Sequence, residues 1–482
     1  MREDTADRKR LLTLYVLCFG VLMIVLDTTI VTVALPTIQS NLSFSRAGLT
    51  WVLNAYLLTY GGFLLLGGRL GDLYGPRRLF LAGLAVFTLA SLACGLAQTQ
   101  WDLVAARSVQ GVGGAVVSAV SLSLIMSLFT EPTERAMAMG IYGFVCAAGG
   151  SIAEVLGGLL TQSLGWHSIF LVNLPIGIVV YVLCMMLLPA DRASVRSQRL
   201  DVAGAVTITV ALMLMVYAVV NTSERGWGSL QTGGLLALGS ALFLGFLLIE
   251  QRVPHPLMPL RLLRLRNLAT ANMIAISWSA GLFAWFVTSA LYLQRVLGYD
   301  PLHVGLAFLP ADVIMAAFSA GLSARMVVRF GTRGPLWIGI LLSAVGLAAF
   351  ARAPLAGSFA TSVLPGMLLL GIGAGMTFNP LLLIAMGDAP SDESGLASGV
   401  LNTAFMMGGA LGLAALASGA DARTQVLRAA GSPPIAALNA GYHLAFWLGA
   451  LLSVCAALLG ALALRSQALV ATPSPVPDAA NG

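Results

Sequence analysis

The sequence predicts an all-α integral membrane protein with about 14 transmembrane helices. Of the 482 residues, 58% are hydrophobic and only 10% are charged, whereas an average soluble domain is about 25% charged. The apolar residues occur in blocks of about 20 residues or more, which is the length a helix needs to cross about 30 Å of hydrocarbon. Glycine is also frequent within the blocks, where it allows helices to pack closely in lipid. This composition excludes a soluble domain.

The apolar blocks define the predicted spans, which follow one another along the whole chain. The first block is expected to be a span and not a cleaved signal peptide, because it is long and contains Asp27 and Pro36. The predicted spans run from Leu11 to Leu35, Leu49 to Leu66, Leu79 to Leu96, Leu103 to Leu128, Ala136 to Leu160, Ile169 to Leu188, Val202 to Val220, Gly233 to Ile249, Leu268 to Leu293, Val304 to Val327, Leu336 to Phe350, Ser362 to Ala385, Leu396 to Ser418 and Leu444 to Leu464.

The basic residues predict how the chain is oriented. An even number of spans places both termini on one side, and the loops on that side hold about three times as many Lys and Arg residues as the opposite loops. Both termini are therefore expected in the cytoplasm, with the protein in the inner (plasma) membrane. The same distribution explains the net charge of +6 without a nucleic-acid partner.

Two long basic loops indicate the domain organisation. Residues 1–190 hold the first six spans, residues 191–266 hold linker loops with two inserted transmembrane helices, and residues 267–466 hold the last six spans. Residues 467–482 are rich in Pro, Ala and Ser and are expected to form a disordered cytoplasmic tail.

Charged residues stand out inside the predicted spans, where burying a charge costs at least a few kcal/mol. The four that stand out are Asp27, Arg107, Glu154 and Asp312, whereas Arg325 lies at the cytoplasmic end of the tenth span. Each could be a structural partner that neutralises another buried charge, or a group that carries protons or contacts substrate. Three carboxyl groups against one arginine leave at least one acid without an obvious partner. Burial without a partner favours the protonated form, as a proton carrier requires.

The segment between the second and third spans resembles the cytoplasmic loop signature of the major facilitator superfamily. Residues 68–78 read Gly-Arg-Leu-Gly-Asp-Leu-Tyr-Gly-Pro-Arg-Arg, and the glycines permit a tight turn. In the family this loop is a conformational latch. The resemblance implies that role for Gly68, Asp72, Gly75, Arg77 and Arg78.

Three further segments are similar to the fourteen-span drug:proton antiporters of the EmrB/QacA type. Residues 26–36 (Leu-Asp-Thr-Thr-Ile-Val-Thr-Val-Ala-Leu-Pro) match the first-span motif, residues 51–58 (Trp-x-x-x-Ala-Tyr-x-Leu) fit the second span, and residues 103–114 match the fourth-span motif. The resemblance implies two six-helix bundles plus two inserted helices, and proton coupling through Arg107. The candidates for the substrate cavity are Trp51, Asn54, Tyr56, Gln110 and Met406.

The fifth span departs from the antiporter motif of that family, which ends Gly-Pro-x-x-Gly-Gly. The glycine spacing is kept by Gly140, Gly149, Gly157 and Gly158, but Ala153 and Glu154 replace Gly-Pro. Either the motif has decayed and antiport itself is in doubt, or Glu154 is a working site for a proton or a cationic substrate. We favour the second hypothesis, because a decayed position would more readily become Ala or Val than Glu.

Together these features predict a proton-coupled secondary active exporter of lipophilic drugs, antibiotics or related small molecules that works by alternating access. A proton- or cation-coupled importer on the same fold is the main alternative, followed by a membrane receptor and then a membrane enzyme. There is no Walker A sequence for ATP and no metal-ligand or nucleophile constellation, so we expect no enzymatic activity, no cofactor and no metal. The expected partners are protons, a small-molecule substrate and the lipid bilayer, with the chain acting as a monomer.

Overall fold

The computed structural model describes residues 2–45, 48–129, 131–188, 201–226, 228–253, 256, 260–387, 389 and 394–464. These residues are helical apart from short connections and contain no β-strand. Most of the loop predicted after the sixth span, and the predicted tail at 467–482, lie outside the described residues.

The described chain forms sixteen α-helices. They are α1 (Arg2–Leu42), α2 (Trp51–Tyr74), α3 (Pro76–Gly95), α4 (Gln100–Leu128), α5 (Pro132–Leu164), α6 (Ser168–Leu171), α7 (Asn173–Leu187), α8 (Val202–Arg225), α9 (Leu230–Arg252), α10 (Arg266–Arg295), α11 (Pro301–Ala317), α12 (Ser323–Phe330), α13 (Arg333–Phe350), α14 (Leu364–Gly387), α15 (Ser394–Ala429) and α16 (Pro434–Leu462). Ten helical stretches are long and apolar enough to cross a membrane, and three shorter ones are also apolar. The predicted all-α membrane class is confirmed.

Helix starts follow local sequence signals. The Thr99 side chain accepts a hydrogen bond from the Asp102 backbone N–H, and the Asp102 carboxylate accepts one from the Thr99 N–H, which forms a capping box at α4. Helices α8, α9 and α11 have simpler caps. The side chains of Asp201, Ser229 and Asp300 each accept one hydrogen bond from a backbone N–H in the first turn. Several other helices begin with proline, whose missing N–H has no partner in a first helical turn.

Each predicted span coincides with helix, but two of them are interrupted. The sixth span is divided at Val172 into α6 and α7. The tenth is divided by a π-helical segment, Phe318–Leu322, in which Gly321 has φ 129°, a backbone conformation that glycine adopts without steric cost. These breaks explain why the helices outnumber the predicted spans. The predicted end of the first span at Leu35 was too early, because α1 continues through Pro36 to Leu42.

The hydrophobic cores group the helices along the chain. One core is built almost wholly from residues 262–464, and two smaller cores are built mainly from α1 to α7. Helix α8 joins one of these smaller cores and also reaches α15, where the Ser418 hydroxyl donates to the Val219 carbonyl at 3.1 Å. Helix α9 packs on α8 and leaves most of its apolar surface exposed, as expected for a helix that faces lipid.

The N-terminal helices α1–α7 and the C-terminal helices α10–α16 meet mainly along three helix pairs. Helix α5 packs against α11, α2 packs against α15, and α1 touches α10, where the Gln294 amide donates to the Val33 carbonyl at 2.9 Å. A cavity lies between these contacts.

Candidate functional site

The cavity between the N-terminal and C-terminal helices has a volume of about 220 Å³. It is bounded by α1, α2, α4 and α5 on one side and by α10, α11 and α15 on the other. Its lining residues are Val25, Thr28, Thr29, Thr32, Leu53, Tyr56, Leu57, Arg107, Gly150, Glu154, Leu282, Phe283, Phe286, Val287, Asp312, Met315 and Phe405. Three of the four predicted intramembrane charges therefore reach one chamber.

The C-terminal wall of the cavity is aromatic. The rings of Phe283 and Phe405 lie 5.7 Å apart, and Phe405 also contacts Trp278 and Phe378, each at 5.6 Å. Phe286 stacks on a further ring behind the cavity wall. Aromatic surfaces of this kind provide large apolar contact areas, and most small-molecule sites are lined in this way, with a few polar groups that fix orientation.

The N-terminal wall contains a fully buried ion pair. Arg107 Nη1 donates to Asp27 Oδ2 at 2.5 Å, and both side chains have no exposed surface. Arg107 Nε also donates to the Val52 carbonyl at 2.9 Å. The sequence left open whether each charge has a structural partner, and for Asp27 and Arg107 the structure provides one. Helices α1 and α4 are joined through this pair.

Three polar side chains complete the environment of Asp27. Gln110 and Asn173 donate to Asp27 Oδ1 at 2.8 and 2.9 Å, and Ser91 accepts from Gln110 at 2.8 Å. Asn173 and Ser91 were not among the predicted site residues. The available signal was a polar residue within an otherwise apolar segment, as at Asn173 at the start of α7. Three donors, on Arg107, Gln110 and Asn173, hold the Asp27 carboxylate in one position.

The Arg107 guanidinium also lies against aromatic rings. Its central carbon is 4.3 Å from the centre of the Tyr56 ring and 5.7 Å from that of Phe170, close enough for cation–π attraction. Its Nη2 has no hydrogen-bond partner among the described residues. The guanidinium therefore keeps an unused donor beside the cavity, within the described part of the chain.

Glu154 and Asp312 differ from Asp27 and Arg107 because they have no oppositely charged partner among the described residues. Glu154 lies on α5 and Asp312 on α11, and their side chains are 1% and 5% exposed. The two side chains lie within hydrogen-bonding reach of each other, and within the described part of the chain no other group bonds to the oxygens of Glu154 or to Oδ2 of Asp312. The charged group that acts on Glu154 is Asp312. The structure thus brings two carboxyl groups from opposite halves together without a described counter-ion.

Close packing of α5 on α11 brings these acids together. A Cβ atom at Gly158 would lie 2.5 Å from the Pro301 carbonyl oxygen, and one at Gly305 would lie 2.3 Å from the Glu154 carbonyl oxygen. Glycine at both positions lets the two backbones touch. Because helical side chains point towards the N-terminus of their own helix, the side chains of Glu154 and Asp312 on antiparallel helices approach each other.

The glycines of the fifth-span motif serve helix packing. Gly149 packs on Val25 and Leu22, and a Cβ at Gly157 would lie 2.6 Å from a side-chain carbon of Ile30. Both contacts are with α1, while Gly158 faces α11. The surroundings of Gly140 lie outside the described residues. Helix α5 runs without a break from Pro132 to Leu164 and contains no proline after Pro132.

Of the five residues predicted for the substrate cavity, only Tyr56 lines the one described here. Leu53, Tyr56 and Leu57 form the cavity face of α2, and helical periodicity turns Asn54 away from that face. The Gln110 side-chain amide donates a hydrogen bond to Asp27, and Met406 packs against Gly61 of α2. Trp51 packs near Tyr217 of α8, with ring centres 6.2 Å apart.

The predicted latch is more helical than its sequence suggested. Gly68 lies within α2, and the turn is confined to Gly75, whose φ of 98° favours glycine. Arg77 Nη2 donates to the Met185 carbonyl near the end of α7 at 2.6 Å, and Arg78 is exposed. The side chain of Asp72 lies outside the described residues, so its latch role stays a prediction.

No group of three or more His, Cys, Asp or Glu side chains with a geometry suited to a metal ion occurs among the described residues. The polar groups at the cavity are carboxyl, guanidinium and hydroxyl groups. They can exchange protons and bind polar groups of a ligand.

The many apolar helices, the two groups of helices and the cavity between them define a multi-pass membrane transporter. The chain belongs to the Major Facilitator Superfamily, whose family model matches residues 17–413. It is 37% identical over 454 residues to the puromycin resistance protein pur8 of Streptomyces alboniger, covering 92% of this chain and 90% of that protein. It is 36% identical to the cephamycin export protein CmcT of Amycolatopsis lactamdurans, covering 83% and 82%.

The fold is also similar to that of a solved transporter. A bacterial homolog of the human lysosomal transporter Spinster, in an inward-facing and unoccupied conformation, matches with a TM-score of 0.68 at 16% identity. The match covers 94% of this chain and 97% of that structure. At this identity the likeness supports the fold alone.

Proposed function

We propose that this transporter exports lipophilic antibiotics, drugs or related small molecules in exchange for protons, by alternating access. The observation that carries the proposal is the central cavity, where an aromatic wall faces two buried carboxyl groups that have no described counter-ion. Aromatic surface can hold a lipophilic substrate, and carboxyl groups without a counter-ion can take up and release protons within a membrane.

The relatives support export and a natural-product substrate. Their names specify resistance to puromycin and export of cephamycin, and another relative, 35% identical, is the tetracenomycin C resistance and export protein of Streptomyces glaucescens. Each alignment covers more than four fifths of this chain, so the similarity includes both groups of helices that bound the cavity.

We further propose the fourteen-span organisation of the EmrB/QacA type. Counting α6 with α7 and α11 with α12 as single interrupted spans turns the sixteen α-helices into that number. Residues 1–190 and 267–466 then supply a six-helix bundle each, and α8 and α9 within residues 191–266 are the inserted pair. The contact of α8 with α2 and α15 supports this division. The excess of basic residues in the loops on the terminal side favours cytoplasmic termini in the cell membrane.

In this mechanism the four buried charges divide into two functional pairs. Asp27 and Arg107 are fixed to each other and position the N-terminal wall. Glu154 and Asp312 exchange protons as the two bundles rock. The segment from Gly68 to Arg78 acts as the latch at the cytoplasmic end. The protein works as a monomer in the lipid bilayer, since the cavity is formed within one chain.

The test uses inside-out vesicles, in which an exporter moves its substrate into the lumen. The vesicles carry an imposed proton gradient, acidic inside, and puromycin and a fluorescent lipophilic cation serve as separate probes. We expect gradient-dependent accumulation by the wild type and its loss in Glu154→Gln and Asp312→Asn. Glu131→Gln, an acid-to-amide change at an exposed position, is the matched control and should transport normally.

The possible failures of this experiment have different meanings. Accumulation that survives in both carboxyl variants would remove Glu154 and Asp312 from the coupling mechanism. Proton-driven uptake in right-side-out vesicles, with none in inside-out vesicles, would favour the importer. Accumulation without a proton gradient would refute coupling to protons.

A further inference from the structure

The contact between α5 and α11 has the form of a gate that is either closed or open. We call this contact, between residues 154–158 of α5 and residues 301–305 of α11, the seam. Gly158 meets Pro301 and Gly305 meets Glu154, with the paired positions one helical turn apart on each helix. Because backbone touches backbone at both levels, little adjustment of side chains is available. The seam can separate, but it cannot close gradually.

The seam lies at the same end of the molecule as the links that follow α1, α3, α10 and α13, because successive helices alternate in direction. With cytoplasmic termini this is the external end. The contact of Gln294 with Val33 lies at that end as well. The structure is therefore closed towards the outside along both α5–α11 and α1–α10.

Glu154 and Asp312 lie on the cavity side of the seam. Glu154 belongs to the seam by its backbone, and Asp312 follows Gly305 by about two turns of α11. Separation of α5 from α11 would divide the acids between two bundles and expose both to external water. Closure brings them together, with 1% and 5% of their surfaces exposed.

The other groups around the acids do not compensate two negative charges. Asp27 of α1 and Arg107 of α4 are bound to each other, and α2 contributes the Tyr56 hydroxyl. Helices α10 and α15 contribute Leu282, Phe283, Phe286, Val287 and Phe405, which carry no charge. Two ionised carboxylates in this place would therefore repel each other and push the helices apart.

We infer that Glu154 and Asp312 form one composite proton site that exists only while the seam is closed, so that closure of the external gate requires uptake of at least one proton. The inference rests on the proposed function for its direction and extends it to the order of events. Protons from outside load the separated acids, the seam closes, and the cavity turns to the cytoplasm. Loss of the proton to the cytoplasm, favoured by arrival of a substrate, then reopens the seam outwards and releases the substrate outside.

Distance measurement between the two bundles tests the inference without any transport. Spin labels are placed at Gln98→Cys and Leu355→Cys, two exposed positions in links at the seam end, in a cysteine-free background reconstituted in lipid nanodiscs. In the wild type we expect a short distance at low pH and a longer one at high pH. Glu154→Gln and Asp312→Asn should each keep the short distance at every pH. In either variant only one carboxyl group remains, so two negative charges cannot meet beside the seam. Glu131→Gln should behave as the wild type.

A further variant disturbs the helix contact while leaving both carboxyl groups in place. Gly305→Ala keeps both carboxyl groups but places a methyl group 2.3 Å from the Glu154 carbonyl oxygen, so the long distance should predominate at every pH. Gly245→Ala on α9, where a Cβ would meet nothing within 4 Å, is the matched control. A long distance at every pH in Gly305→Ala but not in Gly245→Ala, together with the loss of pH dependence in the acid variants, supports the composite site.

Three results would overturn the inference. They are a wild-type distance that does not change with pH, acid variants that retain the wild-type pH dependence, and a Gly305→Ala variant that closes normally. Failure of the proposed function is distinguishable, because a pH-dependent seam in a protein that moves neither probe in vesicles would leave the gate intact and refute the exporter.

Discussion

Replacing Asp27 by Asn removes the charge that compensates Arg107, whose side chain has no exposed surface. The guanidinium would keep its bonds to the Val52 carbonyl and to Gln110 Oε1, but its charge would be buried without a counter-ion. Breaking a buried ion pair by removing one partner costs about 3 to 5 kcal/mol. We expect the free energy of unfolding of Asp27→Asn to fall by that amount.

Glu154→Gln is the matched comparison, since it is the same chemical change at another buried position. Apart from Asp312, no described residue bonds to the oxygens of Glu154, and a glutamine amide can donate to Asp312 in place of the carboxyl group. We expect its unfolding free energy to change by less than about 1 kcal/mol. Unfolding of both variants is followed in detergent at neutral pH by intrinsic tryptophan fluorescence.

The double variant Asp27→Asn with Arg107→Gln tests whether the stability lost in Asp27→Asn comes from the uncompensated charge or from altered packing. Removing both charges together leaves a neutral amide pair, so the double variant should be more stable than Asp27→Asn alone, with a coupling energy of about 1 to 3 kcal/mol. The reasoning fails if Asp27→Asn and Glu154→Gln lose similar stability, or if the double variant loses the sum of the two single changes.

Three further variants probe packing, positioning and the turn. Gly157→Ala should lower unfolding stability by about 1 to 3 kcal/mol through overpacking against α1, and equal stability in Gly245→Ala and Gly157→Ala would contradict the close contact. Asn173→Ala removes a donor to the Asp27 carboxylate and should cost about 1 to 3 kcal/mol; an unchanged melting temperature would show that Asp27 does not need this donor. Gly75→Ala forces φ 98° on a residue with a side chain, so unfolding stability should fall by about 1 kcal/mol, and no loss would mean that the turn relaxes.

The sequence predicts the membrane helices because hydrocarbon imposes a simple rule on every span. A backbone in lipid must satisfy its own hydrogen bonds, so a long apolar segment has one common solution. The interruptions at Val172 and Gly321 lie inside predicted spans and were not predicted. They depend on how neighbouring helices pack, which local hydropathy does not record.

The intramembrane charges were predictable one by one, but their pairing was not. Burial cost alone selects Asp27, Arg107, Glu154 and Asp312, and counting three acids against one arginine requires at least one acid to lack a partner. Which acid Arg107 contacts depends on which helix lies beside α4 and on how each is rotated. Asn173 was missed because a single amide in an apolar segment has many roles, and only the folded arrangement places it at 2.9 Å from Asp27.

The altered fifth-span motif allows a test that separates decay from function. The variant Ala153→Gly with Glu154→Pro restores Gly-Pro before the paired glycines at 157 and 158. If the natural motif has merely decayed, this change should increase proton-driven transport. If Glu154 belongs to the proton site, the change should abolish coupling, since it deletes the carboxyl group and also inserts a proline into an unbroken helix, which costs about 3 kcal/mol. Ala153→Gly alone measures the effect of the glycine. Glu154→Gln measures the effect of losing the carboxyl group without inserting a proline. Transport by the restored variant above the level of the wild type would refute a working role for Glu154.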